Sequence, residues 1–281
     1  MTGRPTEVRE IAPAKVNLVL HVGPRRANGL HEVCSLFASI DLADAVTLRL
    51  ADRDEVVCDP PIAGRNLAAD AVALVRQELD GDLPSLRVEI AKRIPVAAGL
   101  AGGSADAAAT LRAANRIAGE PFGADDLMRL AEALGSDVPS QVEPRHALVG
   151  GTGDRVEPVD LPPMSLVLVP SVEGLSTGDV YTEADRIGAT RDRVDAAALR
   201  ALAAMPLERL AAALENDLEA AAVALRPRLV RTREALLRRS ALAARVTGSG
   251  PTVFGVFADR RAAEAAAADL DERALVVALR G

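Results

Sequence analysis

Pro95-Val96-Ala97-Ala98-Gly99-Leu100-Ala101-Gly102-Gly103-Ser104-Ala105-Asp106-Ala107-Ala108-Ala109-Thr110-Leu111 is the stretch on which the fold turns. Ahead of it, Leu86 to Ile94 sets Leu86, Val88 and Ile90 in alternation with Arg87, Glu89 and Ala91, the period of a strand. Behind it, an alanine-rich run without proline from Ala105 to about Ala118 predicts a helix that ends at Gly119. Three glycines lie between, followed by Ser104, a residue type that caps helices well. A strand, a glycine loop and a helix N-terminus together make an anion site, because glycine admits close approach and unpaired N–H groups face the ligand. The loop has no Lys-Ser/Thr ending of a P-loop, and glycines at 99, 102 and 103 do not fit G-x-G-x-x-G. Taken alone it fits either a tight turn ahead of a capped helix or a phosphate site.

Outward from that loop, 281 residues suit one large or two modest domains, and 49% hydrophobic with 26% charged residues is ordinary for a globular chain. Aromatics are only 2%, so the core must come from Ala, Leu, Val and Ile, and base-stacking platforms are not expected. A net charge of −7 repels a phosphate backbone, so no nucleic-acid partner is expected. Cys34 and Cys58 form neither a metal-ligand spacing nor a disulfide framework, which suits two reduced thiols in the cytosol. No apolar signal region opens the chain and no run of eighteen uncharged apolar residues occurs, so a cytoplasmic protein without a membrane span is expected. The sequence leaves a monomer and a homodimer open.

Near the start, Val8 to Ile11 reads as a short strand broken by Pro13. The next strand, Lys15 to Val22, sets Val16, Leu18, Leu20 and Val22 on one face. Lys15 and Asn17 then share the other face, about 7 Å apart. A polar turn at Arg25 to Gly29 leads to Leu30-His31, an apolar stretch from Val33 to Leu42 and a strand from Ala45 to Leu50. Asn66 reads as the cap of a helix through Leu79, with Leu67, Ala71, Leu74 and Val75 inward. A further helix, Asp125 to Leu134, stops at Gly135, and Pro139 disfavours helical backbone at Val138. The turn Gly150 to Asp154 and the proline-rich Pro158 to Pro163 place a domain boundary near 160, giving domains 1–160 and 161–281. The second half reads as a strand (165–169), helices from 191 to 239 interrupted near Pro206 and Pro227, strands at 244–247 and 252–257, a helix from 260 and a last strand at 274–279. That order predicts an α+β layer with helices on one face of an antiparallel sheet.

Three motifs stand in order: Ala12-Pro13-Ala14-Lys15-Val16-Asn17-Leu18, the Pro95–Ala105 loop, and Thr247-Gly248-Ser249-Gly250-Pro251-Thr252. Together they resemble the GHMP small-molecule kinases over nearly the whole chain. The resemblance implies an α+β, two-domain fold: an ATP-binding N-terminal domain like domain 2 of ribosomal protein S5 and a ferredoxin-like C-terminal domain, with the reaction in the cleft. Lys15 and Asn17 with Gly29-Leu30-His31, and Gly135-Ser136-Asp137-Val138-Pro139, are most similar to the branch that phosphorylates the 2-hydroxyl of 4-diphosphocytidyl-2-C-methyl-D-erythritol. By resemblance, ATP lies on Pro95, Val96, Ala97, Ala98, Gly99, Leu100, Ala101, Gly102, Gly103, Ser104 and Ala105, with Ser104 a hydroxyl donor or Mg²⁺ contact. Asp137 is implied as the base for the substrate hydroxyl and Lys15 as the charge that supports it, which is the positioning and neutralisation that phosphoryl transfer needs. Asn17, His31, Thr177, Gly248, Ser249 and Gly250 match substrate positions, His31 at the cytosine end. No metal ligands are specified. The segment Asn216-Asp217-Leu218-Glu219 also resembles a family segment, and a structural role on a helix is expected for it.

The chain departs from the pattern at Leu30 and Ser140, where aromatics are common in the family. A ring stacked on a base is worth about 1–3 kcal/mol, so either another aromatic, Tyr181 or Phe37, takes that part or cytidine is held less tightly.

Overall fold

A computed structural model describes residues 4–62, 64–171 and 173–280. Its contacts divide the chain into two compact units, the first Met1–Ala14, Leu42–Val96 and Ala101–Pro144, the second Lys15–Asp41, Ala97–Leu100 and Arg145–Gly281. Two long strands, β1 (Glu7–Arg25) and β2 (His31–Leu50), form a hairpin and give a segment to each unit.

In the first unit β4 (Leu86–Ala91) pairs antiparallel with β2, from Ala45 opposite Ala91 to Leu50 opposite Leu86. β3 (Glu55–Asp59) lies parallel on the other edge of β4, which requires a crossover, and helix α1 (Leu67–Glu78) supplies it. Asn66 caps α1 by accepting the Ala68 N–H, as its position in sequence foretold. Helices α2 (Gly102–Ile117) and α3 (Ala124–Leu134) complete the layer. The buried alanines of α2, among them Ala107, Ala108 and Ala113, let it lie close against α1, as dense packing demands. Larger apolar side chains join them, among them Leu86, Val88, Ile90 and Leu111, each worth about 1.5–3 kcal/mol when removed from water.

The second unit takes residues 15–25 of β1 and 31–41 of β2. There β5 (Ala147–Gly150) pairs with β2, Leu36 opposite Leu148, and β6 (Arg155–Pro158) pairs with β5. Four further strands, β7 (Ser165–Val169), β8 (Ala243–Val246), β9 (Val253–Phe257) and β10 (Leu275–Ala278), form an antiparallel sheet in the order β10-β7-β9-β8. Between β7 and β8 run α4 (Thr177–Ile187), α5 (Ala196–Ala203), α6 (Leu207–Ala212), α7 (Glu219–Leu225) and α8 (Arg228–Arg238), and α9 (Arg260–Ala268) joins β9 to β10. That strand order with these crossovers is the ferredoxin-like arrangement expected of the C-terminal half.

Three local expectations are corrected. Pro13 does not break β1, which runs through it from Glu7 to Arg25. Ser104 does not cap α2: the helix starts earlier, at Gly102, after Ala101 turns with φ 57° and ψ 27°, and no side chain caps it. Val138 is helical (φ −67°, ψ −40°) despite the following proline, because it is fully buried and its carbonyl accepts the Gln141 N–H of a 3-10 turn at Pro139–Gln141. Strands β3, β5 and β6 and helix α4 had no sequence expectation. Both thiols are unpaired with one another, and burial, followed by the nearby Asp195, pushes Cys34 up to about 11, away from thiolate. Among the described residues no helix is long and apolar enough to cross a membrane.

Candidate active site

Lys15 is the centre of the polar cluster in the second unit. Its side chain is buried, 4% exposed, where an ammonium needs partners. Strand alternation puts Asn17 beside it, and Lys15 Nζ donates to Asn17 Oδ1 at 2.6 Å. Below the ammonium lies the ring of Phe37, its centroid 4.5 Å away, a cation–π contact that favours the charged form. Asn17 is itself fixed: Nδ2 donates to Ser35 Oγ at 2.8 Å, its backbone N–H donates to Thr247 Oγ1 at 2.9 Å, and Ser35 donates to the Val19 carbonyl. Phe37 is thus committed to Lys15.

The third glycine motif closes on the same pair. Gly248 has φ 56°, and a methyl there would stand 3.0 Å from Asn17 Oδ1 and 3.8 Å from Lys15 Nζ. Only glycine fits such backbone at such a distance. The tip of the second motif meets it as well: a methyl on Gly99, φ 75°, would stand 2.6 Å from the Gly250 carbonyl oxygen, and the Lys15 N–H donates to the Leu100 carbonyl at 3.2 Å. Residues 15, 17, 99, 100, 248 and 250, drawn from all three motifs, therefore meet in one unit. Ser249 Oγ and Thr177 Oγ1 are 3.0 Å apart, Thr177 opening α4. His31 opens β2, its Nδ1 3.0 Å from the Gly23 carbonyl and its Nε2 3.2 Å from Asp185, with the Tyr181 ring 5.3 Å away. Tyr181, not Phe37, is the aromatic placed beside His31.

In the first unit, Gly102, Gly103 and Ser104 form the opening turn of α2, and the first intrahelical bond is Ala105 N–H to the Ala101 carbonyl. Their N–H groups precede it, lack intrahelical partners and form the positive end of a helix of 16 residues. A methyl on Gly103 would meet nothing within 4 Å, so space over this turn is open, whereas one on Gly102 would press on Ile94 at 3.0 Å. Ala97 and Ala101 both hold left-handed backbone, φ 54° and 57°, a strain of about 1–3 kcal/mol each that ordinary turns avoid and functional loops keep. Asp137 sits half-buried after α3, its carbonyl accepting from Ser140 Oγ at 2.8 Å. Arg112 of α2 braces the same turn, donating to the Gln141 carbonyl at 2.7 Å. Asp137 and Ser104 belong to this unit, and Lys15 and Asn17 to the other.

Sequence reading missed Ser35 and Thr247 as groups that aim Asn17. Thr247 had a signal, its place at the head of a glycine motif; a lone serine in an apolar strand had none.

The model of the GHMP kinases N terminal domain matches residues 66–143, and that of the GHMP kinases C terminal matches residues 198–275. The chain belongs to the GHMP kinase family. Two relatives of this GHMP kinase are proteins named 4-diphosphocytidyl-2-C-methyl-D-erythritol kinase. That of Anaeromyxobacter dehalogenans (strain 2CP-C) is 42% identical over 279 residues, covering 94% of this chain and 85% of the relative. That of Nocardioides sp. (strain ATCC BAA-499 / JS614) is 44% identical over 280 residues, covering 92% and 91%. A crystal structure of 4-(cytidine 5'-diphospho)-2C-methyl-D-erythritol kinase superposes with a TM-score of 0.81 at 32% identity, covering 98% of this GHMP kinase and 100% of that chain.

Proposed function

We propose that this chain is an ATP-dependent kinase that phosphorylates the 2-hydroxyl of 4-diphosphocytidyl-2-C-methyl-D-erythritol, a step toward isoprenoid precursors by the non-mevalonate route. The names of relatives that match nearly the whole chain support the substrate. The observation that carries the chemistry is Lys15, a buried ammonium clasped by Asn17 against a glycine turn.

The opening turn of α2 fits a phosphate group, being uncapped, free of acidic residues in its first turn and open above Gly103. Pro95 to Ala105 would hold the ATP phosphates through backbone N–H groups, with the Ser104 hydroxyl as donor or Mg²⁺ contact. Among the described residues no three His, Cys, Asp or Glu side chains cluster for a metal, and Mg²⁺ commonly takes one or two protein oxygens with the remainder from phosphates and water. Bound there, Mg-ATP supplies the phosphoryl group and the cationic charge that neutralises it. Asp137 is assigned the proton of the substrate hydroxyl, and Lys15 the negative charge that grows on its oxygen as that proton leaves. Thr177, Ser249, Gly248, Gly250 and Asn17 are assigned to substrate, and His31 with Tyr181 to the cytosine. The carboxamide of Asn17 already serves Lys15 and Ser35, so its first effect is to aim the ammonium.

A coupled ADP-release assay on the full chain tests the assignment. Turnover is expected with the cytidine-linked substrate and not with mevalonate. No turnover of the first, or equal turnover of both, overturns it.

A further inference from the structure

The segment Glu215 to Leu218 lies between α6 and α7, with Glu219 opening α7, and is bound on two sides. Along one side it docks on β1: the Leu20 N–H donates to the Glu215 carbonyl at 2.9 Å, and the Asp217 N–H donates to the Leu20 carbonyl at 3.0 Å. Asp217 Oδ2 also accepts the Val22 N–H at 2.8 Å and pairs with Arg191. Along the other side it holds the entry to the third glycine motif. Asn216 Nδ2 donates to two carbonyls, Val246 and Gly248, each at 2.8 Å, while its Oδ1 accepts the Leu218 N–H at 2.9 Å. Glu219 Oε2 accepts the Val246 N–H at 2.8 Å.

The chemistry of position 216 is specific. Two carbonyl oxygens must be met by two hydrogens from one short planar group while a third atom accepts, and only a carboxamide does this; a carboxylate of the same shape would face both carbonyls without a hydrogen. One of those carbonyls belongs to Gly248, the residue packed on the Asn17–Lys15 pair. We propose that Asn216 is a positioning residue of phosphoryl transfer, fixing the Gly248 turn and through it the place of the Lys15 ammonium. The inference rests on the assignment of Lys15 given above. A helix-flanking segment thereby holds the third motif beside β1.

Two variants of the full chain separate this role from plain stability. Asn216→Asp keeps the shape and removes both donations. Asp217→Asn weakens the ion pair with Arg191 in the same segment and leaves the Gly248 carbonyl held. With substrate and Mg-ATP, Asn216→Asp is expected to lower kcat about 10- to 100-fold, the scale of a small misplacement of a reacting group, with either KM changed less than about threefold. Asp217→Asn is expected to lose at least as much melting temperature and to keep kcat. Acylation of Lys15 by an amine-reactive acetyl ester, read by peptide mass spectrometry, is measured beside these without substrate. It is expected to quicken in Asn216→Asp and to stay at the wild-type rate in Asp217→Asn. Loss of kcat that follows melting temperature equally in both variants, or unchanged kcat and Lys15 acylation in Asn216→Asp, overturns the proposal. Absence of wild-type turnover on the cytidine-linked substrate overturns only the substrate assignment, and the acylation rates then decide the role of Asn216.

Discussion

Lys92 carries one positive charge between two buried carboxylates. Its Nζ donates to Asp44 Oδ2 at 2.5 Å and to Asp106 Oδ2 at 2.7 Å, and the three side chains are 5%, 0% and 3% exposed. Asp44 also accepts the Arg93 and Ile94 N–H groups, whereas Asp106 Oδ1 has no hydrogen-bond partner. A buried trio with net charge −1 favours one more proton. Burial, only partly offset by Lys92, pushes Asp106 up to about 7 from 3.8. Between those values the folded chain holds a proton that the unfolded chain has lost. This contribution is therefore full below about pH 4 and is lost as pH rises through 7. Asp106→Asn keeps the Lys92 contact and cannot titrate, so its melting temperature is expected to exceed that of wild type by several degrees at pH 8 and by little at pH 5, on the scale of about 2–4 °C per kcal/mol. A calorimetric offset that is the same at both pH values would remove Asp106 from the titration. A second residue test concerns Asp137. Asp137→Asn is expected to lower kcat by at least ~10² with binding of a non-hydrolysable ATP analogue kept, as measured by calorimetry, because a lost general base costs rate and not nucleotide affinity.

At the scale of elements, the two glycine turns make opposite demands, and alanine scanning separates them. Gly99 has left-handed backbone and no room, 2.6 Å from the Gly250 oxygen for an added methyl, so Gly99→Ala is expected to cost about 1–3 kcal/mol and to raise KM for ATP. Gly103 lies within α2 with open space around it, so Gly103→Ala is expected to raise stability by about 0.5–1 kcal/mol while its methyl hinders the phosphates and raises the same KM. Denaturant midpoints moving in the same direction for both would contradict this reading. The contrast also shows what was legible. Alternation in 86–90, the Asn66 cap and the end of α3 at Gly135 were readable, since each depends on residues within one element. The start of α2 was not, because glycine reads as a breaker and the left-handed Ala101 that launches the helix leaves no mark in composition. Val138 was misread because burial against the first core outweighed the local preference of a residue before proline. In the site, Lys15 beside Asn17 followed from period two alone, while the Ser35, Thr247 and Asn216 contacts join residues far apart in sequence that no local pattern links.

At the scale of the molecule, the second unit is not the C-terminal half of the chain. It takes residues 15–41 and 97–100 as well. Leu20 and Val22 of β1 lie in its core with Val167, Val169 and Phe257, and Phe37 of β2 packs with Ala147 and Val149. β5 takes its register from β2, and the Glu215–Asp217 segment docks on Leu20. A fragment of residues 145–281 keeps all four strands of the ferredoxin-like sheet and loses every one of these partners. Three missing side chains, Leu20, Val22 and Phe37, each remove about 1.5–3 kcal/mol of burial, and that sum rivals the whole net stability of about 5–15 kcal/mol of a typical domain. The 145–281 fragment is therefore expected to show helical far-ultraviolet dichroism without a cooperative melt, and amide proton shifts with little dispersion. A sharp two-state transition in that fragment would mean that the four-stranded sheet and its helices carry their own core, and that the early strands are an addition to it, not part of it.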